Sequence, residues 1–232
     1  MRAVHVEPPA ELGTHDGLAY ALFLPEGEAA GGVVILHGAG SQKENQFDFA
    51  RELRASGVAA VAFDQRGHGE SAGALGAGAL DDVAAMAALL PPGPLALRGS
   101  SMGGFMALHA GARMDVAAVV AICPATGALL ARGLRSGRFS FRADHDGLSA
   151  LLEHADDHAA AAALGERLLL MHAEGDEQVP IASSRDLHAA APGSRLVAVP
   201  GGHHRSIQHD GELIALAVRF LTRALRPRPA SS

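Results

Sequence analysis

The feature that most constrains the fold is a series of short apolar runs separated by longer amphipathic stretches. Four runs are almost continuously apolar, which is typical of strands buried on both faces of a parallel sheet. The predicted strands are 18–24, 33–36, 58–63, 94–98, 116–122, 168–172 and 195–199. The predicted helices are 46–55, 79–90, 103–113, 183–190 and 211–224. This alternation predicts an α/β domain with a mostly parallel central sheet and helices on both faces.

One segment, residues 125–166, interrupts the alternation because it has no strand pattern and contains several glycines and charged clusters. Long ordered connections are usually functional, so we predict a small helical cap inserted into a single domain that spans residues 1–232. Residues 226–232 alternate proline with arginine before ending in Ala-Ser-Ser. They are predicted to form a flexible tail, because proline cannot continue a helix.

The predicted cap carries arginines at 132, 135, 138 and 142. Two interpretations are open at this point. The arginines could give the entrance of a site affinity for anionic substrates, or they could be ordinary solvated charges of the cap, which is the more common case.

Composition excludes several classes of function. The formal net charge of −6 and an aromatic content of 4% argue against a nucleic-acid partner. The single cysteine, Cys123, excludes an intramolecular disulfide framework and indicates a reducing compartment, so we expect a cytoplasmic protein. No apolar run is long enough for a membrane span, and the first residues lack the apolar run of a signal peptide. Monomer and homodimer both remain open.

The strongest chemical signal is the segment Gly99-Ser100-Ser101-Met102-Gly103-Gly104, between a predicted strand and a predicted helix. Gly-x-Ser-x-Gly at such a junction is a nucleophile elbow, in which Ser101 would be presented above the edge of the sheet. The following helix would direct its first N–H groups at a developing oxyanion. The alternative is a simple turn rich in glycine and serine.

A second loop, His37-Gly38-Ala39-Gly40, directly follows the strand predicted at 33–36. In an enzyme with a nucleophile elbow, one N–H from this loop joins the N–H of the residue after the nucleophile in an oxyanion hole. The backbone N–H groups of Ala39 and Met102 are therefore the predicted donors. By itself the loop would be only a tight turn.

Two later loops supply a candidate acid and base. Gly175-Asp176 follows the strand predicted at 168–172, and Asp176 could orient a histidine, although aspartate is also a common turn residue. Gly201-Gly202-His203-His204 follows the strand predicted at 195–199. The chain order would then be serine, aspartate, histidine.

These motifs, together with Asp64-Gln65-Arg66-Gly67-His68-Gly69-Glu70-Ser71, resemble those of the α/β-hydrolase superfamily over essentially the whole chain. The resemblance implies the α/β-hydrolase fold, with Ser101 as nucleophile, Asp176 as acid and His204 as base. The spacing from Gly201 selects His204, while His203 remains an alternative base. Glu174 and Glu177 are weaker alternatives for the acid. The loop at 64–71 is expected to support the elbow rather than to react.

Within the superfamily, the chain is most similar to small esterases, monoacylglycerol-lipase-like enzymes and peptidase-like hydrolases. The resemblance implies a serine hydrolase, carboxylesterase-like and of class EC 3.1.1, acting on a small or medium acyl ester through an acyl-enzyme. A peptidase or amidase with the same triad is the alternative, and a non-catalytic binding protein is a weaker one. No cofactor is expected. No metal site is expected either, because the 13 histidines match no strong metal-spacing motif.

Overall fold

The computed structural model describes residues 6–226, and their strands form one eight-stranded sheet. The strands are β1 Glu11–His15, β2 Leu18–Phe23, β3 Gly32–Leu36, β4 Ala59–Phe63, β5 Leu95–Ser100, β6 Ala118–Ile122, β7 Leu168–Ala173 and β8 Arg195–Val199. Their spatial order is β1-β2-β4-β3-β5-β6-β7-β8. The pairs β1–β2 and β2–β4 are antiparallel, and all the others are parallel. The predicted mostly parallel sheet is therefore confirmed.

The helices in the described part of the chain are α1 Phe47–Ala55, α2 Ala79–Ala87, α3 Met102–Arg113, α4 Gly127–Arg135, α5 His145–Glu153, α6 Asp157–Leu164, α7 Ile181–Ala190 and α8 Gly211–Leu225. Short 3-10 turns lie at Lys43–Gln46 and Gly165–Arg167. Among residues 6–226, no helix is both long enough and apolar enough to span a lipid bilayer.

Helices cover both faces of the sheet, as predicted. Side chains alternate along β3, so that Val33 and Ile35 enter one apolar cluster while Val34 and Leu36 enter the other. The first cluster also holds buried residues of α1 and α8, and the second holds those of α2, α3, α6 and α7. Burial on both faces explains why the sequence of these strands is continuously apolar instead of alternating.

The edge strand β1, which forms a hairpin with β2, was not predicted from the sequence. Most β1 side chains are exposed, so the strand has no apolar run to reveal it. The turn between the two strands is Asp16-Gly17, and both residues have positive φ angles, 51° and 78°. Asp-Gly with this geometry is a strong hairpin signal and would have revealed the strand.

The segment predicted as a cap contains three helices, each begun by a capping side chain. Thr126, Asp144 and Asp156 accept hydrogen bonds from the N–H groups of Leu129, Gly147 and Ala159. The third helix, α6, packs against α3 and α7 within the layer that covers the sheet.

The first two helices, α4 and α5, pack against each other. We call residues 127–153 the helical cover, because side chains of α4 and of the following loop border the cavity described below. That the whole of 125–166 acts as a cap stays a prediction. Most of the predicted tail, residues 227–232, lies outside the described residues.

Candidate active site

Ser101 occupies a sharp turn between β5 and α3, with φ 54° and ψ −117°. A positive φ angle is costly for a residue with a side chain and is often retained where function requires it. Backbone atoms leave no room for a side chain at the glycines on either side of this turn. A Cβ added at Gly99 would lie 1.9 Å from the carbonyl oxygen of Gly103, and one added at Gly103 would lie 2.4 Å from that of Leu36. No larger residue fits either position without moving backbone.

The peptide on each side of Ser101 is fixed by the neighbouring strand and helix. The Ser101 N–H donates to the carbonyl of Ile122 at 2.9 Å, and the Ser101 carbonyl accepts from Ala125 and Phe105, each at 3.1 Å. Met102 begins α3, and the first N–H groups of a helix have no carbonyl of their own helix to bind. The Met102 N–H is therefore suited to an external acceptor.

The loop after β3 packs directly against the elbow. A Cβ added at Gly38 would lie 3.3 Å from the Cβ of Ser101, and Ala39 borders the same cavity as Ser101. His37 fixes this loop, because its Nδ1–H donates to the Gly38 carbonyl at 2.8 Å while its Nε2 accepts from the Gln65 N–H at 3.0 Å. Burial lowers the pKa of His37 to about 4, so its ring is neutral and keeps these roles near neutral pH.

The loop at residues 64–71 is hydrogen-bonded to the segment that contains His37 and Lys43. The buried Asp64 carboxylate accepts the N–H of Lys43 at 2.7 Å, the N–H of Glu70 at 2.9 Å and the Lys43 ammonium at 3.0 Å. Burial opposes the charge of Lys43, but the hydrogen bonds that its ammonium donates to Glu70, Glu44 and Asp64 raise its pKa above the ordinary value. The contacts between Lys43 and the Asp64 carboxylate thus tie the two loops together.

Asp176 follows β7 and holds the imidazole of His204. Its Oδ1 accepts the N–H groups of Gln178 and Val179, both at 2.9 Å, and its Oδ2 lies 2.6 Å from His204 Nδ1. Burial opposes ionisation of this carboxyl. The Val179 N–H and the His204 ring outweigh it and lower the pKa of Asp176 below its ordinary value. An ionised carboxylate in this position orients the imidazole so that Nε2 is left for a reaction.

A second histidine, His172, contacts the Asp176 carboxylate. It was not predicted from the sequence as a residue of the site. Its Nε2 donates to the Val179 carbonyl at 2.9 Å and is 3.4 Å from Asp176 Oδ2, and its Nδ1 is 2.7 Å from Ser184 Oγ. Burial lowers the pKa of His172, which keeps it neutral. Its signal in the sequence was its place near the end of the strand that precedes Asp176.

Cys123 follows β6 with φ 43° and is buried. Its Sγ, a carboxylate oxygen of Asp176 and a ring nitrogen of His204 all lie within 4.8 Å of one another. This group could in principle hold a metal ion. The two other residues already bind each other, however, and burial raises the pKa of the Cys123 thiol to about 12, so a metal ion would have to displace the thiol proton and break the Asp176–His204 hydrogen bond.

The loop of the two histidines packs tightly on the acid loop. The Gly175 N–H donates to the Gly201 carbonyl at 2.9 Å, and a Cβ at Gly175 would lie 2.3 Å from the Gly202 carbonyl oxygen. This contact brings His204 to Asp176. His203 is exposed instead, and its Nδ1 faces the N–H of Arg205 at 3.3 Å.

The two glutamates considered as alternative acids lie elsewhere. Glu174 pairs with Arg185 at 3.2 Å, and Glu177 is an exposed residue at the wall of the cavity. Of the candidate acids, Asp176 is the one hydrogen-bonded to His204.

A cavity of about 560 Å³ lies above the carboxyl ends of the strands, a size suited to a small molecule. Ser101, His204 and Ala39 all border it. We call residues 37–40, 99–103, 174–180 and 201–206 the catalytic loops. The structure therefore brings together the predicted nucleophile, base and oxyanion loop at one cavity, with the predicted acid bound to the base. Their catalytic roles remain predictions.

Known proteins similar to this chain share its architecture. Residues 27–136 match a family model described as Serine aminopeptidase, S33. Among solved structures, a monoacylglycerol lipase from Paleococcus ferrophilus has a TM-score of 0.72 at 21% identity, covering 89% of this chain and 99% of that one. Est1E from Butyrivibrio proteoclasticus, with ferulic acid bound, has a TM-score of 0.71 at 20% identity, covering 92% and 97%.

An enol-lactonase from Burkholderia xenovorans has a TM-score of 0.73 at 18% identity, covering 91% of this chain and 100% of that one. A search of the curated proteins gave no significant match. At these identities the likeness establishes the fold, and the chemistry has to be argued from the site itself.

Proposed function

On the premise of an α/β-hydrolase fold, which the chain shares with these solved structures, we propose that it is a serine hydrolase that cleaves a carboxylic ester of a small or medium acyl substrate. The observation that carries the proposal is the pairing of His204 Nδ1 with Asp176 Oδ2 at 2.6 Å, beside a cavity that Ser101 also borders. A buried carboxylate bound to one imidazole nitrogen is the arrangement that makes the other nitrogen a base.

In the proposed reaction, Ser101 Oγ attacks the ester carbonyl carbon while His204 Nε2 takes the hydroxyl proton. The N–H groups of Ala39 and Met102 stabilise the oxyanion of the tetrahedral intermediate. His204 returns the proton to the departing alcohol, which leaves an acyl group on Ser101. His204 then takes a proton from water, the hydroxide displaces the acyl group as a carboxylic acid, and Ser101 regains its proton. No cofactor takes part in these steps.

A peptidase or amidase is the second candidate, favoured by the family model, whose description is a serine aminopeptidase. The same steps would cleave an amide, with His204 protonating a departing amine. The named neighbours include a lipase and a lactonase, which act on esters, and this supports the ester as the first choice. We place the protein in the cytoplasm, with a small-molecule substrate and no nucleic-acid partner.

The proposal is tested with p-nitrophenyl esters of two to ten acyl carbons and the matching p-nitroanilides, using the purified protein and Ser101→Ala. We expect ester hydrolysis with an optimum at short or medium chains and a loss of about 10⁴-fold or more in kcat in the variant. Hydrolysis of anilides as fast as esters would support the amidase instead. A folded wild-type protein that cleaves neither would support the non-catalytic interpretation and contradict the proposal.

A further inference from the structure

The structure separates the four cap arginines that the sequence could not distinguish. Arg132 and Arg138 border the cavity of Ser101. Arg135 points instead toward Glu153, with 3.8 Å between the nearest nitrogen and oxygen. Arg142 donates to the carbonyl of Ser71 at 3.5 Å and lies outside the cavity wall. Two of the four are thus placed where a substrate would meet them.

A third arginine, Arg205, borders the cavity from the opposite loop, next to His204 in the chain. Within residues 6–226, the guanidinium groups of Arg132, Arg138 and Arg205 form no salt bridge and donate no hydrogen bond. Some arginines elsewhere are paired, as Arg66 is with Asp82 at 2.9 Å, while exposed ones such as Arg113 and Arg219 form no salt bridge among the described residues. The wall of the cavity therefore carries three guanidinium groups that are free to bind an anion.

The opposing charge in the cavity is small. Glu177 is the carboxylate among the described residues at its wall, so the wall itself carries three guanidinium groups against one carboxylate, while the Asp176 carboxylate lies behind the wall against His204. His209, also at the wall, is bound to Asp48 at 2.7 Å. A positive excess at the mouth of a cavity attracts anions and raises their local concentration.

The rest of the wall is partly apolar. Leu129, Leu130, Phe139 and Val179 border the same cavity as the arginines. Phe139 stacks on Phe141, with 5.1 Å between ring centroids. A ligand that fits this wall has an apolar portion and an anionic group.

We propose that the ester substrate carries an anionic oxyacid group, a carboxylate or a phosphate, which Arg132 and Arg138 of the helical cover bind together with Arg205. The guanidinium group donates two parallel hydrogen bonds to either oxyacid, and such charge-assisted bonds are among the strongest in proteins. This inference rests on the proposed function, because it identifies the substrate class of the same site.

The test compares anionic esters with uncharged partners of matched length, because the group could lie on either side of the ester bond. The carboxylate on the acyl side is tested with p-nitrophenyl hydrogen glutarate against its methyl ester. The carboxylate on the alcohol side is tested with 4-butyryloxybenzoate against its methyl ester. The phosphate is tested with 4-butyryloxyphenyl phosphate against 4-(methanesulfonyloxy)phenyl butyrate, whose sulfonate ester is uncharged and of similar size. Hydrolysis is followed by titration of the released acid.

We expect the wild-type protein to prefer at least one anionic ester over its partner by about 10-fold or more in kcat/KM. Arg132→Gln combined with Arg138→Gln should lower that ratio by about 10-fold, mainly through KM, and Arg132→Lys should lower it less, since lysine keeps the charge without the paired donors. Arg135→Gln is the matched control and should keep the ratio. Glu177→Gln should raise it, and 0.5 M salt should reduce it.

A wild-type protein that cleaves the uncharged esters without preferring any anionic one would overturn this inference and leave the proposed function standing. So would an unchanged ratio in the double variant, once its melting temperature shows that it is folded. A wild-type protein that cleaves neither kind of ester would instead contradict the proposed function.

Discussion

The catalytic loops and the helical cover face the same cavity but are built in different ways. The catalytic loops are fixed by backbone contacts without spare room, such as the contact of Gly103 with the carbonyl of Leu36. They are also tied by buried hydrogen bonds, such as that of Asp176 with His204. In the helical cover, by contrast, Arg132 and Arg138 are exposed and Phe139 is half-buried.

This difference shows where each kind of information lies. A reaction needs atoms held to fractions of an ångström, so its residues sit in loops that tolerate few substitutions. The choice of substrate depends on side chains at a surface, where many residue types fit the same backbone. Similar catalytic loops can therefore serve many substrates, and the cover is the place to look for specificity.

The largest expected effect distinguishes the two adjacent histidines of the catalytic loops. His204→Ala should lower kcat by about 10⁴-fold or more, because no other group would take the proton of Ser101. His203→Ala, in a residue that is exposed and unconnected to Asp176, should lower it less than about 10-fold. Steady-state kinetics on one p-nitrophenyl ester would measure both. Equal losses would leave the assignment of His204 unsupported.

A smaller effect is expected when the same glycine-to-alanine substitution is made in each of the two regions and the free energy of unfolding is compared. Gly103→Ala would place a methyl group 2.4 Å from one backbone oxygen and 2.5 Å from another, so it should cost about 3 kcal/mol or more in the free energy of unfolding. Gly133→Ala would meet the ring of Phe139 at 2.6 Å. That half-buried ring can turn, and alanine favours the helix, so the cost should stay within about 1 kcal/mol. Urea unfolding measures both, and similar costs would contradict the contrast drawn here.

A third effect concerns the pH dependence of stability. The pKa of His37 is about 4 in the folded protein against an ordinary value of 6.5, so between these values the unfolded chain binds a proton that the folded one does not. The free energy of unfolding should therefore be highest above pH 6.5 and should fall by roughly 3 kcal/mol as the pH falls to 4. The lowered pKa of His172 acts in the same direction.

This effect is measured by urea unfolding between pH 7.5 and 4.5. His37→Gln should be less stable at neutral pH but show a shallower decline, and the exposed His158→Gln serves as the matched control with the slope of the wild type. A His37→Gln variant with an unchanged slope would show that the loss of stability at low pH arises in other groups.

The sequence predicted the sheet, five of the helices and the motifs of the catalytic loops, because each follows from local patterns. Buried parallel strands are continuously apolar, and tight backbone contacts require glycine at fixed positions, as at Gly99 and Gly103. The strand β1 was not predicted, because most of its side chains are exposed and form no apolar run.

Other features depend on contacts between distant parts of the chain. His172 lies near the end of the strand that precedes Asp176, but no local pattern sets its ring against that carboxylate. Nor does a local pattern set Arg132 and Arg138 at the cavity while Arg135 faces Glu153. The arginine orientations are decided by how the helical cover rests on the domain, and that of His172 by its contacts with Val179 and Ser184. Sequence periodicity encodes neither.

The measurement that tests the central claim most directly is labelling with diisopropyl fluorophosphate, followed by mapping of the modified residue by mass spectrometry. The probe is small enough for the 560 Å³ cavity and reacts with an activated serine by losing fluoride. We expect one adduct, on Ser101, absent from Ser101→Ala and strongly slowed in His204→Ala. An adduct on another residue, or no adduct on the folded protein, would contradict the assignment of Ser101 as an activated nucleophile.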